Sequence, residues 1–559
     1  SRNRGIGRYS KQLIKDLIIN FPDNEYILFA NPYLYDLRSE FKNELSNKLL
    51  NVFYFQLYSP FLARNKSNSI NDRDCIAVLL RSYAVSNLLP DIILITSAFE
   101  GFNDDAVVEF SDVFNLPPIS TILYDLIPLI QSDLYFRNNP LYESFYKKRI
   151  NYLLNIDSFL AISSSASREL KDNLPINQNK IYIISSACDT NLFQPTQDKF
   201  LIEKNRKKPL EKYILYSGAA DPRKNLATLI KAYSKLPTRL ILDYKLVLAG
   251  KYLPEEVSLI EESISTNSLN RKNILLTGFV SDNELVSLYS HCSLFVFPSL
   301  HEGFGLPVLE AMSCGAPVIA SNNTSIPEII GLNDALFDPL NSNEISKLIE
   351  KSLTDVGFRN RLILNSKNNH KNFSWRKTAT KTMDGLIKTA ISLDLNHSQI
   401  NNRILSNREN LISILSNRIL DHLPINNHPS LIEQISSSLY LIDNQISNYF
   451  KVNSGISGIL QWQIEGPFDT NYSLAILNRN IAIAFNSLDV DISIFSTEGL
   501  GDFEPSNDFL SKNQLINKLF LKSKDKTRTP SVISRNLYPP RVNDISAKIR
   551  LLHSYGWEE

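Results

Sequence analysis

The sequence predicts an α/β protein built on doubly wound, mostly parallel sheets, and three observations carry that prediction. Short apolar runs alternate with helical patterns along most of the chain. The stretch Ser293 to Gly331 reads as strand, glycine-rich loop, short helix and strand, which aims a helix N-terminus at the end of a parallel sheet. The alternation restarts after a polar stretch at Asp189 to Lys212 that carries Pro195 and Pro209. Two halves facing a cleft are therefore expected, at 1–189 and 190–395, then a helical linker at 396–454 and part of a third α/β unit at 455–559.

In chain order, Arg4-Gly5-Ile6-Gly7-Arg8-Tyr9 is a glycine-rich turn that leads into an amphipathic helix with Ile6, Tyr9, Leu13, Leu17 and Ile18 on one stripe. Strands are expected at Glu25 to Ala30, Val52 to Leu57, Asp91 to Ser97, Ser120 to Leu126, Ser158 to Ile162 and Lys180 to Ser185. Helices fall between them at Asp74 to Leu88, Leu141 to Asn155 and Ser165 to Asn173. The second series has strands at Tyr213 to Ser217, Lys245 to Ala249 and Asn273 to Thr277, with helices at Asn225 to Lys235 and Asn283 to Cys292. Ser281 and Glu284 have the spacing of a capping box for the latter helix. In the central unit Pro307 is expected at the first helical position and Gly315 at the left-handed stop. The strand Ala335 to Asp338, the helix Asn343 to Leu353 and further helices to about Leu393 complete the half.

The 559 residues exceed one ordinary domain, and 43% hydrophobic content permits large cores. A formal charge of +1 gives no basic excess for nucleic acid. No apolar run reaches the length of a membrane span. Cys75, Cys188, Cys292 and Cys314 are widely spaced, which suits a reduced, cytoplasmic compartment. Seven histidines show no ligand spacing, and Asp72-Arg73-Asp74 and Asp489-Val490-Asp491 match a D-x-D pattern without supporting context, so no metal site is expected.

Chemistry concentrates in His301-Glu302-Gly303-Phe304-Gly305 and the helix after it. Gly303 and Gly305 let the backbone bring N–H groups close to a ligand, and Glu302 and Glu310 bracket the helix start. Carboxylates so placed, either side of an anion-binding helix end, suit a two-part ligand such as a nucleotide sugar. The frame HEGFGLPVLEAMSCGAPVIAS resembles the signature of retaining glycosyltransferases of the GT-B fold, family four or group 1. That resemblance implies two Rossmann-like domains facing a cleft, Glu302 on hydroxyls of the donor sugar, Gly303, Phe304 and Gly305 at the diphosphate and sugar, and Glu310 on the ribose. It also implies that Gly5 and Gly7 face the donor across the cleft. The first strand of the amino-terminal sheet is then expected upstream of Ser1, so the sequence reads as a fragment.

Arg223 and Lys224, in Asp221-Pro222-Arg223-Lys224-Asn225, follow a strand and open a helix, where two cations would neutralise charge on a leaving diphosphate. A matching Arg-Lys pair does this in the resembled family, although Ala219 follows Gly218 where Arg is common. Tyr124-Asp125 at a strand's carboxyl end is assigned to acceptor binding and orientation, because Tyr124 is no base at neutral pH. His301 reads as a loop or donor-contact residue and, equally, as a merely structural one.

Tyr472-Ser473, its helix to Phe485 and the strand Val490 to Phe495 echo Tyr9-Ser10, its helix and the strand Glu25 to Phe29. The segment GPFDTNYSLAILNRNIA resembles the opening of another group 1 transferase, so a truncated second copy is expected. The activity that the resemblance implies is hexose transfer, with mannose a candidate, from a nucleoside diphosphate sugar to a bacterial surface glycan such as O-antigen or capsule. The expected partners are the nucleotide sugar and a glycan or lipid-linked glycan acceptor, with peripheral contact at the inner face of the membrane and neither cofactor nor nucleic acid. A nucleotide-sugar epimerase of the same fold and a non-catalytic glycan-assembly scaffold are the alternatives.

Overall fold

The computed structural model describes residues 5–30, 52–56, 70–102, 106–198, 212–391, 410–415, 428–453, 461–470, 473–487, 490–498, 501–525, 530, 532–536 and 549–552. The chain divides into two compact units, Ser1–Ile446 and Ser447–Glu559.

The first unit opens with the helix Ile6–Asn20, whose buried stripe is Tyr9, Leu13, Leu17 and Ile18. Strands β1 (Tyr26–Ala30) and β2 (Val52–Gln56) pair in parallel. Strands β3 (Ile93–Ile95), β4 (Ile119–Leu123), β5 (Ser158–Ala161) and β6 (Ile181–Ile183) form a separate parallel sheet in that order. The helices Ile70–Leu88, Pro140–Leu153 and Ser164–Asn173 connect these strands. Asp72 and Asp74 lie within the first of them rather than before it, and Asp489 falls outside the described residues.

The second half is one six-stranded parallel sheet made of β7 (Tyr213–Ser217), β8 (Lys245–Ala249), β9 (Ile274–Leu276), β10 (Leu294–Phe297), β11 (Val318–Ser321) and β12 (Leu336–Phe337). The spatial order is β12-β11-β10-β7-β8-β9. Every residue of β7, β10 and β11 is buried, as expected of parallel strands covered on both faces. The chain runs outward from β7 through β8 and β9, then returns to lay β10 against the other side of β7. The order reverses between β7 and β10, and a ligand crevice in such a sheet opens at the carboxyl ends of those two strands.

Two boundaries differ from the sequence expectations. The helix Trp375–Ile391 was expected with the second half but packs on the first: Trp375 meets the Tyr9 ring at 5.1 Å and Thr389 Oγ1 donates to Ser158 Oγ at 2.8 Å. Gly385 provides the clearance, since a Cβ there would press on Leu160 and Tyr182. The expected linker is likewise more than a tether. Its helix His428–Asn453 buries Ile435, Ile442 and Ile446, and Tyr83 Oη donates to Asp443 Oδ1 at 2.9 Å.

The second unit is again a parallel α/β sheet, with β13 (Gln461–Glu465), β14 (Asp491–Phe495), the small antiparallel pair β15 (Thr497–Glu498) and β16 (Gly501–Asp502), β17 (Val532–Arg535) and β18 (Ile549–Leu552). The main sheet has the order β14-β13-β17-β18. Its core comprises Ile464, Phe468, Ile492, Ile494, Leu519 and Phe520. The fold class expected from the sequence, parallel-sheet α/β in two halves followed by a further α/β unit, is the one observed. Among the described residues, no helix is long and apolar enough to cross a membrane.

Candidate active site

The loop after β7 carries the cations. Asp221 Oδ1 accepts from Arg223 N at 3.1 Å and starts a single turn, Pro222–Lys224. Asn225 then takes a left-handed conformation, φ 60°, which an Asn tolerates better than most residues. Its Nδ2 donates to the Pro298 carbonyl at 3.0 Å and the Pro339 carbonyl at 2.8 Å. Leu300 N donates to the Arg223 carbonyl at 2.8 Å. The loop after β7 is thereby stapled to the loop after β10, at the point where the strand order reverses. The helix itself begins at Leu226, so Arg223 and Lys224 lie in the turn before it.

Glu302 receives both cations. Lys224 Nζ is 2.6 Å from Glu302 Oε1, and Arg223 Nη1 is 3.1 Å from Oε2. Arg223 Nη1 also donates to the His301 carbonyl at 2.5 Å, and its Nη2 is 3.6 Å from Asp221 Oδ2. Burial pushes the Glu302 carboxyl up, but the Lys224 ammonium and Arg223 guanidinium outweigh burial and hold it below the usual carboxylate range. A carboxylate bound in this way is no free nucleophile.

The helix of the central unit spans Leu306–Ser313, one residue earlier than expected, with Gly305 as N-cap at φ 111°. Gly315 has the expected left-handed conformation, φ 80°. Ser325 Oγ lies 2.8 Å from the Glu302 carbonyl and 2.6 Å from the Phe304 carbonyl, which fixes the loop from behind. The Phe304 side chain is buried and meets Phe373 at 5.7 Å, so only its backbone faces a ligand site.

Glu310 is buried at the other end of this unit. Tyr289 Oη donates to its Oε2 at 3.4 Å and is itself 2.6 Å from Ser217 Oγ. Arg8 approaches from the first half, with Nη1 4.0 Å from Glu310 Oε1 and Nη2 2.8 Å from Asp282 Oδ2. Burial pushes the Glu310 carboxyl up to about 7, and the Arg8 charge and Tyr289 hydroxyl only partly offset it. Gly5 is the N-cap of the first helix, at φ 53°. Gly7 was expected in the turn but lies within that helix.

Tyr124 and Asp125 follow β4 and meet the glycine loop directly. A Cβ on Gly303 would overlap the Tyr124 carbonyl and come within 3.0 Å of Asp125 Oδ2. Tyr124 Oη is 3.0 Å from Ser10 Oγ and donates to the Thr96 carbonyl at 3.0 Å. Burial raises the Tyr124 phenol, and burial also raises the Asp125 carboxyl, whose Oδ1 accepts from Ile127 N at 3.1 Å. His301 turns to the first half, where its Nε2 is 2.8 Å from Glu169 Oε1. The structure therefore brings Arg223, Lys224, Glu302, Gly303, Tyr124 and Asp125 together, with Glu310 and Arg8 forming a second cluster. Sequence reasoning missed Glu169, Tyr289, Asp282 and the role of Arg8. A basic residue inside a glycine turn was the only local signal.

Parallel sheets in both halves, a cation pair at the switch point and a glycine loop entering a short helix make the two-domain α/β architecture of the GT-B class. Residues 197–369 match the family of glycosyl transferases group 1. The serotype-specific mannosyltransferase WbdA of Escherichia coli is 34% identical over 403 residues, 69% of this chain and 46% of WbdA. The O-antigen chain mannosyltransferase B of Escherichia coli is 39% identical over 172 residues, 31% of this chain and 45% of that protein. The chain thus spans about half the length of the curated relatives it matches. Among solved structures, Anabaena Alr3699/HepE in complex with UDP and glucose aligns over 68% of this chain and 96% of its own, at 18% identity and a TM-score of 0.47.

Proposed function

We propose that the chain is a retaining glycosyltransferase that moves a hexose, specifically mannose, from a nucleoside diphosphate sugar to a growing bacterial surface glycan. The observation that carries this proposal is the pairing of Arg223 and Lys224 with Glu302 at the reversal point of a parallel sheet, beside the glycine loop that leads into the helix Leu306–Ser313. Both cations converge on Glu302, with Asp221 at 3.6 Å from Arg223, and a diphosphate could take over their donors. Mannose is supported by the names of the relatives, and retention by the family resemblance.

In this proposal the bond between the sugar C1 and the β-phosphate oxygen breaks, and the nucleoside diphosphate leaves with the electron pair. The acceptor hydroxyl oxygen bonds to C1 on the same face, and its proton passes to the departing phosphate oxygen. Arg223 and Lys224 stabilise the charge that develops, Glu302 and the Gly303 to Gly305 amides hold sugar and phosphate, and Glu310 holds the ribose. Tyr124 and Asp125 orient the acceptor. Side chains rather than a metal ion meet the phosphate charge, so transfer is expected to survive a chelator. A lipid-linked acceptor would put the enzyme at the inner face of the cytoplasmic membrane. The unit at 447–559 is proposed as belonging to a second transferase domain, supported by its parallel sheet and the sequence echo.

The test is release of GDP or UDP from a donor panel, with and without glycan acceptors. Acceptor-dependent release that Lys224→Ala and Glu302→Ala both abolish is the expected result. Nucleotide binding without release from any donor would overturn the proposal in favour of a scaffold.

A further inference from the structure

A carboxylate outside the site described above ties the glycine loop to the first half. Glu328, on the short helix Ile326–Ile330, accepts from two consecutive backbone amides, Ser164 N at 2.9 Å and Ser165 N at 2.8 Å. Those amides open the helix Ser164–Asn173 of the first half, where unsatisfied N–H groups and the positive end of the helix favour an anion. Ser163, the N-cap, accepts from Ala166 N at 2.9 Å and donates to the Gly303 carbonyl at 2.6 Å. Ser325, next to the Glu328 helix, holds the carbonyls of Glu302 and Phe304. A Cβ on Gly305 would collide with Ile326. Glu169 on the first-half helix adds the His301 bond and accepts from Leu126 N at 3.1 Å. Loop, Glu328 helix and first-half helix form one hydrogen-bonded assembly across the cleft.

We propose that Glu328 is a positioning residue that clasps the acceptor half onto the donor loop, needed for sugar transfer and dispensable for nucleotide binding. The proposal rests on the glycosyltransferase reading and deepens it. Arg223, Lys224 and Glu310 all belong to the second half, so a nucleotide can bind without the clasp. Transfer needs Asp125 and the Gly303 loop in register, and a misplacement of about 1 Å costs on the order of 100-fold in rate. Gln at 328 keeps one acceptor oxygen and loses the charge, whereas Ala loses both acceptors.

The experiment uses the full chain as wild type, Glu328→Gln, Glu328→Ala and, as reference, Lys224→Ala. It measures GDP and UDP affinity by calorimetry and transfer rate at saturating donor. It also measures the spin-label distance between exposed positions on the two halves, Asp172→Cys and Lys231→Cys. In Glu328→Ala we expect nucleotide affinity within about twofold of wild type, kcat lower by about tenfold or more, and a broader distance distribution. Glu328→Gln should fall between. Unchanged kcat, or a rate loss that tracks nucleotide affinity as in Lys224→Ala, would overturn the proposal. If the wild type transfers no sugar, the glycosyltransferase reading fails by its own test and the distance decides the clasp: broadening in Glu328→Ala supports it, and an unchanged narrow distribution overturns it.

Discussion

Glu302 and Glu310 stand at the two ends of one loop and helix, eight residues apart, and both are buried. Their surroundings give them opposite chemistry. Glu302 lies between two cations and is held ionised. Glu310 has a tyrosine hydroxyl at 3.4 Å and a guanidinium at 4.0 Å, and burial pushes its carboxyl up to about 7. Burial alone therefore does not set the role of a carboxylate in this fold. The partners supplied by neighbouring elements do: the loop after β7 for Glu302, and two helices for Glu310.

The largest expected effect comes from removing the cation that Glu302 holds. Lys224→Ala should lower transfer by roughly 10²–10³-fold, the scale of losing one preorganised charge contact to a transition state. Steady-state kinetics with a saturating donor would check it, and a loss under about fivefold would mean that Arg223 alone suffices. Glu302→Ala leaves the poorly solvated Lys224 without its carboxylate, and Arg223 with Asp221 alone, and should destabilise the unit by about 3 kcal/mol. Chemical denaturation would measure that cost, and added GDP or UDP should restore part of it.

The two carboxylates should also respond oppositely to pH. The depressed Glu302 contributes stability at neutral pH that is lost as pH falls below the ordinary carboxylate value. Glu310, raised from 4.5 to about 7, contributes stability that is present below 4.5 and lost as pH rises through about 7. The difference amounts to roughly 3 kcal/mol. Glu310→Gln should flatten that part of the profile in denaturation curves across the same window, and an unaltered slope would place the titrating group elsewhere. The smallest effect lies outside both ends. Ser281→Ala removes one side of the capping box that Ser281 and Glu284 form and should cost about 1 kcal/mol in thermal unfolding, with transfer unchanged.

Much of the second half was legible because its strands are buried on both faces. Tyr213–Ser217 and Lys245–Ala249 are bounded as the apolar runs predict, and the glycine loop, its helix and the capping box follow local rules. Contacts between halves were not legible. Arg8 with Asp282 and Glu328 with Ser165 join residues 274 and 163 positions apart, and no local pattern encodes which surfaces will meet. Phe304 shows the same limit at closer range, since an aromatic in a glycine loop suits ligand stacking and core packing equally. Its neighbour Phe373 decided the matter. The helix Trp375–Ile391 was assigned to the wrong half because the amphipathic pattern says that a face is buried but not against what.

The most direct test of the two-ended site is the affinity for GDP and UDP across neutral pH, measured by calorimetry for wild type, Glu310→Gln and Lys224→Ala. Wild-type affinity is expected to climb as Glu310 ionises near pH 7, by more than the nucleotide's own titration produces in Glu310→Gln. Lys224→Ala should bind weakly throughout. Identical pH profiles for wild type and Glu310→Gln, together with full affinity in Lys224→Ala, would contradict a nucleotide held between these two carboxylates.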